Sequence, residues 1–167
     1  VQIRRQLTLF VNAGDARELE QVRKEFNAVQ YRLIKSHVTL CREDEIEDLP
    51  LILDNLQGIH VPGIVVQFGP AVRFDQGLGI MLPALGNNEP FHQLRLKVLS
   101  GAATPVRLHQ PHITLMHPRN SVCTDEIFQV IQKIAFPTAL RFDNICFIEQ
   151  ADGAPWHILK KYQLGSI

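Results

Sequence analysis

The sequence predicts an α+β fold built as two pseudo-symmetric lobes, each with an antiparallel sheet and outer helices, and with a central cleft between the sheets. Three observations predict it. The stretch SHVTL at 36–40 returns as PHITL at 111–115, an offset of 112 − 37 = 75 residues. Phe68 and Phe142, 142 − 68 = 74 residues apart, each precede a turn-like pair and another strand. The order helix, strand, helix, strand, strand can be read twice with no Pro/Gly/Ser-rich linker between the copies. The expected organisation is one domain over residues 1–167, with lobes of about 1–86 and 87–167 and terminal strands that cross between them.

QLTLFV at 6–11 alternates as a strand does. In DARELEQVRKEFNAVQ, Ala16, Leu19, Val22, Phe26 and Val29 recur at helical spacing, and Asp15 with Glu18 forms a capping box. SHVTLC is a strand by its β-branched residues. Asp48 then caps a short helix with Pro50 in its first turn and Ile46, Leu49, Leu53 and Leu56 on one face. Turn pairs Pro62-Gly63 and Gly69-Pro70, and the glycines at 77 and 79, divide 59–85 into two or three antiparallel strands. The second copy opens with a helix capped by Asn88, with Pro90 in its first turn and Gly101 at its end. PHITLM is its strand. Thr124 caps a helix over TDEIFQVIQKIAF, and ALRFDNICFIEQ pairs with PWHILKKYQL around ADGAP.

Composition narrows the function classes. With 46% hydrophobic and 20% charged residues in 167, the chain can bury a core, which excludes disordered and collagen-like proteins. Lys plus Arg equals Asp plus Glu at 17 each, so no overall field exists to hold long nucleic acid or an anionic membrane; phosphate recognition must be local. Cys41, Cys123 and Cys146 are odd in number and form no CxxC pair, which reads as reduced thiols in a cytoplasmic protein. No apolar run approaches the roughly 20 residues of a membrane span.

The repeated motif carries the chemistry. Strand side chains alternate, so His37 and Thr39 share one face while Val38 and Leu40 share the other, and His112 and Thr114 repeat the split against Ile113 and Leu115. A lone HVTL is most simply scaffold. Composition alone produces about 0.02 such matches per chain, so two copies favour function, although duplication could copy a scaffold too. If the lobes bring the faces opposite each other, two imidazoles stand across a cleft, separated by about the 5 to 8 Å that holds a phosphate. Imidazole titrates near pH 6.5, so one ring can accept a proton while the other donates, a complete acid/base set without a metal or cofactor. The threonine hydroxyls suit the oxygens of the group between them. Attack at phosphorus, with entering and leaving oxygens on opposite sides, is the reaction that uses this set most directly.

At these residues the chain resembles the 2H phosphoesterase superfamily, which includes bacterial 2′-5′ RNA ligase-like proteins and cyclic phosphodiesterases and is named for its paired His-x-Thr-x motifs. The opening QLTLFV and closing WHILKKYQL are similar to the family's first and last strands, so the resemblance covers most of the chain. It implies a bilobal fold and metal-independent chemistry on 2′,3′-cyclic phosphates or 2′-5′ linkages, possible in reverse as ligation, with His37, Thr39, His112 and Thr114 in the catalytic positions. Family members often follow the second motif closely with arginine; here Met116, His117 and Pro118 come before Arg119.

Other candidates compete with plainer readings. Lys35, on the face of His37, and Arg42 and Arg119, just past the motif strands, are candidate phosphate contacts or solvated surface charges. Trp156 is a base-stacking candidate or core. His109, His112 and His117 do not make a metal site if the strand is unbroken, because 109 and 117 have the opposite parity to 112. The expected partner is a nucleotide or RNA end bearing a cyclic phosphate or 2′-5′ linkage, bound by a monomer. A catalytically silent nucleotide- or RNA-binding module using the same cleft is the alternative function, and a purely structural protein a third.

Overall fold

A computed structural model describes residues 1–165; the last two residues of the domain read over 1–167 lie outside them. Nine strands and five α-helices follow in the order β1 (Ile3–Phe10), α1 (Arg17–Phe26), α2 (Ala28–Leu33), β2 (His37–Cys41), α3 (Leu49–Gln57), β3 (Ile64–Gln67), β4 (Val72–Phe74), β5 (Gly79–Pro83), α4 (Glu89–Val98), β6 (His112–Met116), α5 (Asp125–Gln132), β7 (Ala139–Phe142), β8 (Asn144–Ala151) and β9 (His157–Gln163). The α+β class, with every strand pair antiparallel, is the one the sequence predicts.

The division into sheets differs from the expectation. One seven-stranded sheet runs β4-β5-β6-β2-β1-β8-β9, and β3 pairs with β7 in a separate ribbon. The two motif strands are therefore neighbours within one sheet, and they pair only at Val38↔Ile113. Strands of the two sequence halves interleave, since β1 lies between β2 and β8. ALRFDNICFIEQ is not one strand: the chain breaks at Asp143, β7 joins β3, and β8 pairs with β9 and β1.

Burial follows side-chain alternation. Leu7, Leu9, Val38, Leu40, Ile80, Leu82, Ile113 and Leu115 are at most 1% exposed and meet Leu19 and Val22 of α1, Ile52 and Leu56 of α3 and Phe91, Leu94 and Val98 of α4 in one core. Each aliphatic side chain removed from water in this way contributes about 1.5–3 kcal/mol. A smaller cluster of Ile34, Cys146 and Ile148, with Phe10 and Trp156 against it, lies apart from that core. All three cysteines are buried and free.

Two expected caps are replaced. The helix over 15–30 breaks at Asn27, whose side chain donates to Asn120 Oδ1 at 2.7 Å and accepts from the His117 amide at 2.7 Å; this tie across the molecule outweighs continuing the helix. Ala16, not Asp15, precedes the first turn without a side-chain cap. Asn88 starts α4 in the left-handed region, φ 53°, and its amide bonds Gly86 and Gln110 rather than the helix. Asp48 and Thr124 cap α3 and α5 as expected. Among the described residues no helix is long and apolar enough to cross a membrane.

Candidate functional site

The register at the centre of the sheet arranges the motif residues. Val38 faces Ile113 across an antiparallel pair, so one step to either side His37 lies opposite Thr114 and Thr39 opposite His112. The two histidines are then a diagonal pair on one face, and such pairs lie roughly 7–8 Å apart. His37, Thr39, His112 and Thr114 are all half-buried and line one cleft of ≈ 700 Å³, while the residues between them are buried beneath it.

Each histidine is held by the same backbone device. His37 Nδ1 is 2.7 Å from the Lys35 carbonyl oxygen, and His112 Nδ1 is 3.1 Å from that of Gln110, in both cases two residues upstream. A carbonyl can only accept, so Nδ1 carries the hydrogen and Nε2 is left free to exchange a proton. His37 also meets the ring of Phe10, its neighbour on β1, edge-on at 6.0 Å. Burial, with smaller contributions from the charge of Arg23 and from His112, lowers the His37 pKa to about 4.

The entry to β2 is braced from α1. The Arg23 guanidinium, 2% exposed, donates to the Ile34 carbonyl at 2.6 Å and to Glu20 at 2.8 Å, and the same Glu20 oxygen accepts from the Ser36 amide at 2.8 Å. This clamp holds both ends of the 34–36 segment that carries the carbonyl bonded to His37. At the far end of β2, Arg95 of α4, 1% exposed, donates to the Leu40 carbonyl, to the Arg107 carbonyl at 2.8 Å and to Glu45 at 2.6 Å. Those bonds hold Glu45 ionised despite its burial, with its pKa below the usual value.

Arg42, Arg119 and Trp156 line the cleft with the four motif residues; Lys35 does not. β2 starts only at His37, so its alternation does not extend back to Lys35, whose side chain lines a neighbouring groove. His109 and His117 also line the cleft, because β6 spans only residues 112–116 and the parity of an unbroken strand does not reach them. His109 bonds the Thr39 carbonyl at 3.2 Å, and burial, helped by Arg95, lowers its pKa to about 4.

Sequence reasoning missed Arg4, Gln6, Arg23 and Gln30, and also Ile34 and the rim carboxylates Glu43, Asp44 and Glu47, which complete the lining. Signals for three of them were present. Arg4 and Gln6 share a face with Thr8 by the alternation of β1, and Arg4 stacks over the Trp156 ring at 5.3 Å while bonding Glu43 at 3.1 Å. Arg23 falls on the apolar stripe of α1, four residues after Leu19 and three before Phe26, where a solvated charge does not belong.

Comparison with known proteins agrees with this architecture. A family model described as the 2′-5′ RNA ligase superfamily matches residues 11–154. Solved structures with the same fold include Escherichia coli LigT complexed with phosphate (19% identity, 98% of each chain, TM-score 0.66) and with 3′-AMP (18%, 98% of each chain, 0.67). TT0787 of Thermus thermophilus is another, at 14% identity over 98% of each chain and a TM-score of 0.65. No curated protein matches the chain in sequence.

Proposed function

The chain belongs to the 2′-5′ RNA ligase superfamily, and from that premise we propose that it is a metal-independent phosphodiesterase acting on 2′,3′-cyclic phosphate or 2′-5′ linked RNA or nucleotide substrates. The observation that carries this reading is the diagonal placement of two His–Thr pairs on one face of the sheet, each histidine fixed through Nδ1 by a carbonyl.

A phosphate bound between the rings lies within reach of both Nε2 atoms. His37, kept neutral by its surroundings, is the base: it takes a proton from a water that attacks phosphorus. His112, in its protonated form, delivers a proton to the departing ribose oxygen. The Thr39 and Thr114 hydroxyls donate to the non-bridging oxygens, where charge is carried through the transition state. Arg42 and Arg119 at the cleft supply positive charge to the same phosphate. Ligation uses the same proton exchange with a different nucleophile: a 5′ ribose hydroxyl in place of water gives its proton to one histidine and attacks the cyclic phosphate, the 3′ oxygen leaves with a proton from the other, and a 2′-5′ linkage forms.

The test is hydrolysis of nucleoside 2′,3′-cyclic phosphates and 2′-5′ dinucleotides, with and without EDTA, locating the phosphate in the product. Turnover that survives chelation is expected. Binding without turnover would favour the silent binding module, and loss of turnover restored by zinc or magnesium would overturn the proton mechanism.

A further inference from the structure

The candidate cleft is not the largest concavity. Beside it lies a groove of ≈ 1040 Å³ that shares Ile34 and Trp156 with the cleft as a common wall and contains the side chain of Lys35. We propose that this groove is a second subsite, which holds the single-stranded RNA leading up to the reacting phosphate. The inference rests on the cleft being a phosphodiesterase site.

Four features carry it. Continuity is the first, because a chain with its phosphate beside His37 needs only to pass Trp156 to enter the groove. Charge is the second: the chain as a whole is neutral, yet Arg17, Lys35, Arg141 and Lys161 line this groove against two carboxylates. Both carboxylates are already engaged, Glu20 by Arg23 and Asp143 by Arg141, whereas Arg17, Lys35 and Lys161 make no ion pair among the described residues. Arg17 also opens α1, at the positive end of the helix dipole, where a cation does not help the helix. Aromatic surface is the third, since half-buried Phe10, Tyr31 and Trp156 line the same groove. Interleaved cations and aromatic faces are the combination that binds single strands, the first tracking phosphates and the second stacking bases. The fourth is the Ser36 hydroxyl in the wall, buried with no hydrogen-bond partner, a kind of group that is rarely left unsatisfied. A mononucleotide held in the cleft could meet Trp156, in the shared wall, but leaves Arg17, Lys35, Lys161, Phe10 and Tyr31 unused.

The test compares two substrates, a nucleoside 2′,3′-cyclic phosphate and a single-stranded RNA of about six nucleotides ending in the same group, a length in the range that single-strand-binding grooves cover. Their kcat/KM values are measured for the unaltered protein, for Tyr31→Ala and for Arg17→Ala combined with Lys161→Ala, all at exposed or half-buried positions outside the cleft. In parallel, fluorescence anisotropy follows binding of a labelled RNA of that length ending in an unreactive 3′-phosphate. The expected result is that the RNA is the better substrate by about 10-fold or more and that each variant loses roughly 10-fold on RNA, with the mononucleotide unchanged. The double variant should also show a shallower salt dependence of RNA binding. Equal values for the two substrates, or variants that lower both alike or neither, overturn the second subsite while leaving the proposed chemistry standing. Tight, variant-sensitive RNA binding without turnover of either substrate overturns the chemistry and keeps the groove as an RNA site.

Discussion

β2 and β6 carry the same four-residue pattern and the same carbonyl anchor, yet their surroundings have diverged. His37 sits against Phe10 and beside Arg23, with its entry segment clamped at both ends by α1. His112 follows a segment held by other partners: Arg95 on the Arg107 carbonyl, His109 on the Thr39 carbonyl, Asn88 on Gln110 and the Ala84 amide on the Pro111 carbonyl. The repeated motif thus keeps what places an imidazole on the sheet, while the side chains packed around the two rings differ. The difference teaches that a repeated motif need not repeat its surroundings: burial first, and then the charge of Arg23, fourteen residues upstream, act on the His37 ring.

The comparison breaks most directly at the histidines. His37→Ala and His112→Ala should each lower turnover of a cyclic phosphate by roughly 10² to 10⁴-fold, and the double variant should fall well short of the product of the two losses, as groups serving one transition state do. Fully multiplicative losses would mean that the two copies act independently.

The next largest effect separates the two buried arginines. Arg95→Leu removes the main partner of the buried Glu45 carboxylate, leaving it the Arg42 amide at 2.9 Å and Arg107 at 3.9 Å, and should cost up to about 5 kcal/mol of stability by denaturant unfolding. It should not move the pH profile, since Arg95 lies at the far end of β2 from His37.

Thr39→Val and Thr114→Val sharpen the comparison within the cleft. Each removes a hydroxyl at nearly constant volume and should cost on the order of 1–3 kcal/mol in transition-state stabilisation, read from kcat/KM, with unfolding midpoints little changed. Inequality between the two would show which side of the phosphate carries more developing charge.

A pH series tests the surroundings of His37 themselves. With His37 at about 4 when folded and near 6.5 when unfolded, the unfolded chain binds more protons between those values. Its contribution to stability is therefore present above about pH 6.5 and lost as the pH falls towards 4. His37→Gln should remove that slope from the stability profile. The base limb of the rate profile should likewise lie near 4, and Arg23→Met should move it upward without reaching 6.5, because burial remains. A limb near 6.5 in the unaltered protein would overturn the lowered pKa assigned to His37.

Much of this was legible in the sequence. The alternation of HVTL and HITL correctly separated the buried Val38, Leu40, Ile113 and Leu115 from the half-buried His–Thr positions, because strand geometry fixes faces locally. Neighbours are a different matter. Periodicity says which side a residue faces and nothing about which strand lies beside it, so the single sheet and the Val38↔Ile113 seam were out of reach. Asn27 shows the same limit, since a helical pattern ran through it while its amide was committed to a loop ninety residues on. Arg95 was readable in principle: with Phe91, Leu94 and Val98 it completes an apolar stripe, and a charge there signals a buried partner.

The place of β1 in the sheet bears on how the protein is made. β1 pairs residue by residue with β8, from Ile3↔Ala151 to Thr8↔Cys146, so one edge of β1 stays unfilled until β8 has left the ribosome. Folding must close this distant contact late and against a large loss of chain entropy, which places the protein among slow folders of high contact order. Because strands from the two sequence halves interleave in one sheet, cutting the chain between β5 and β6 would leave two fragments each with an open sheet edge, suited to aggregation or to finding each other.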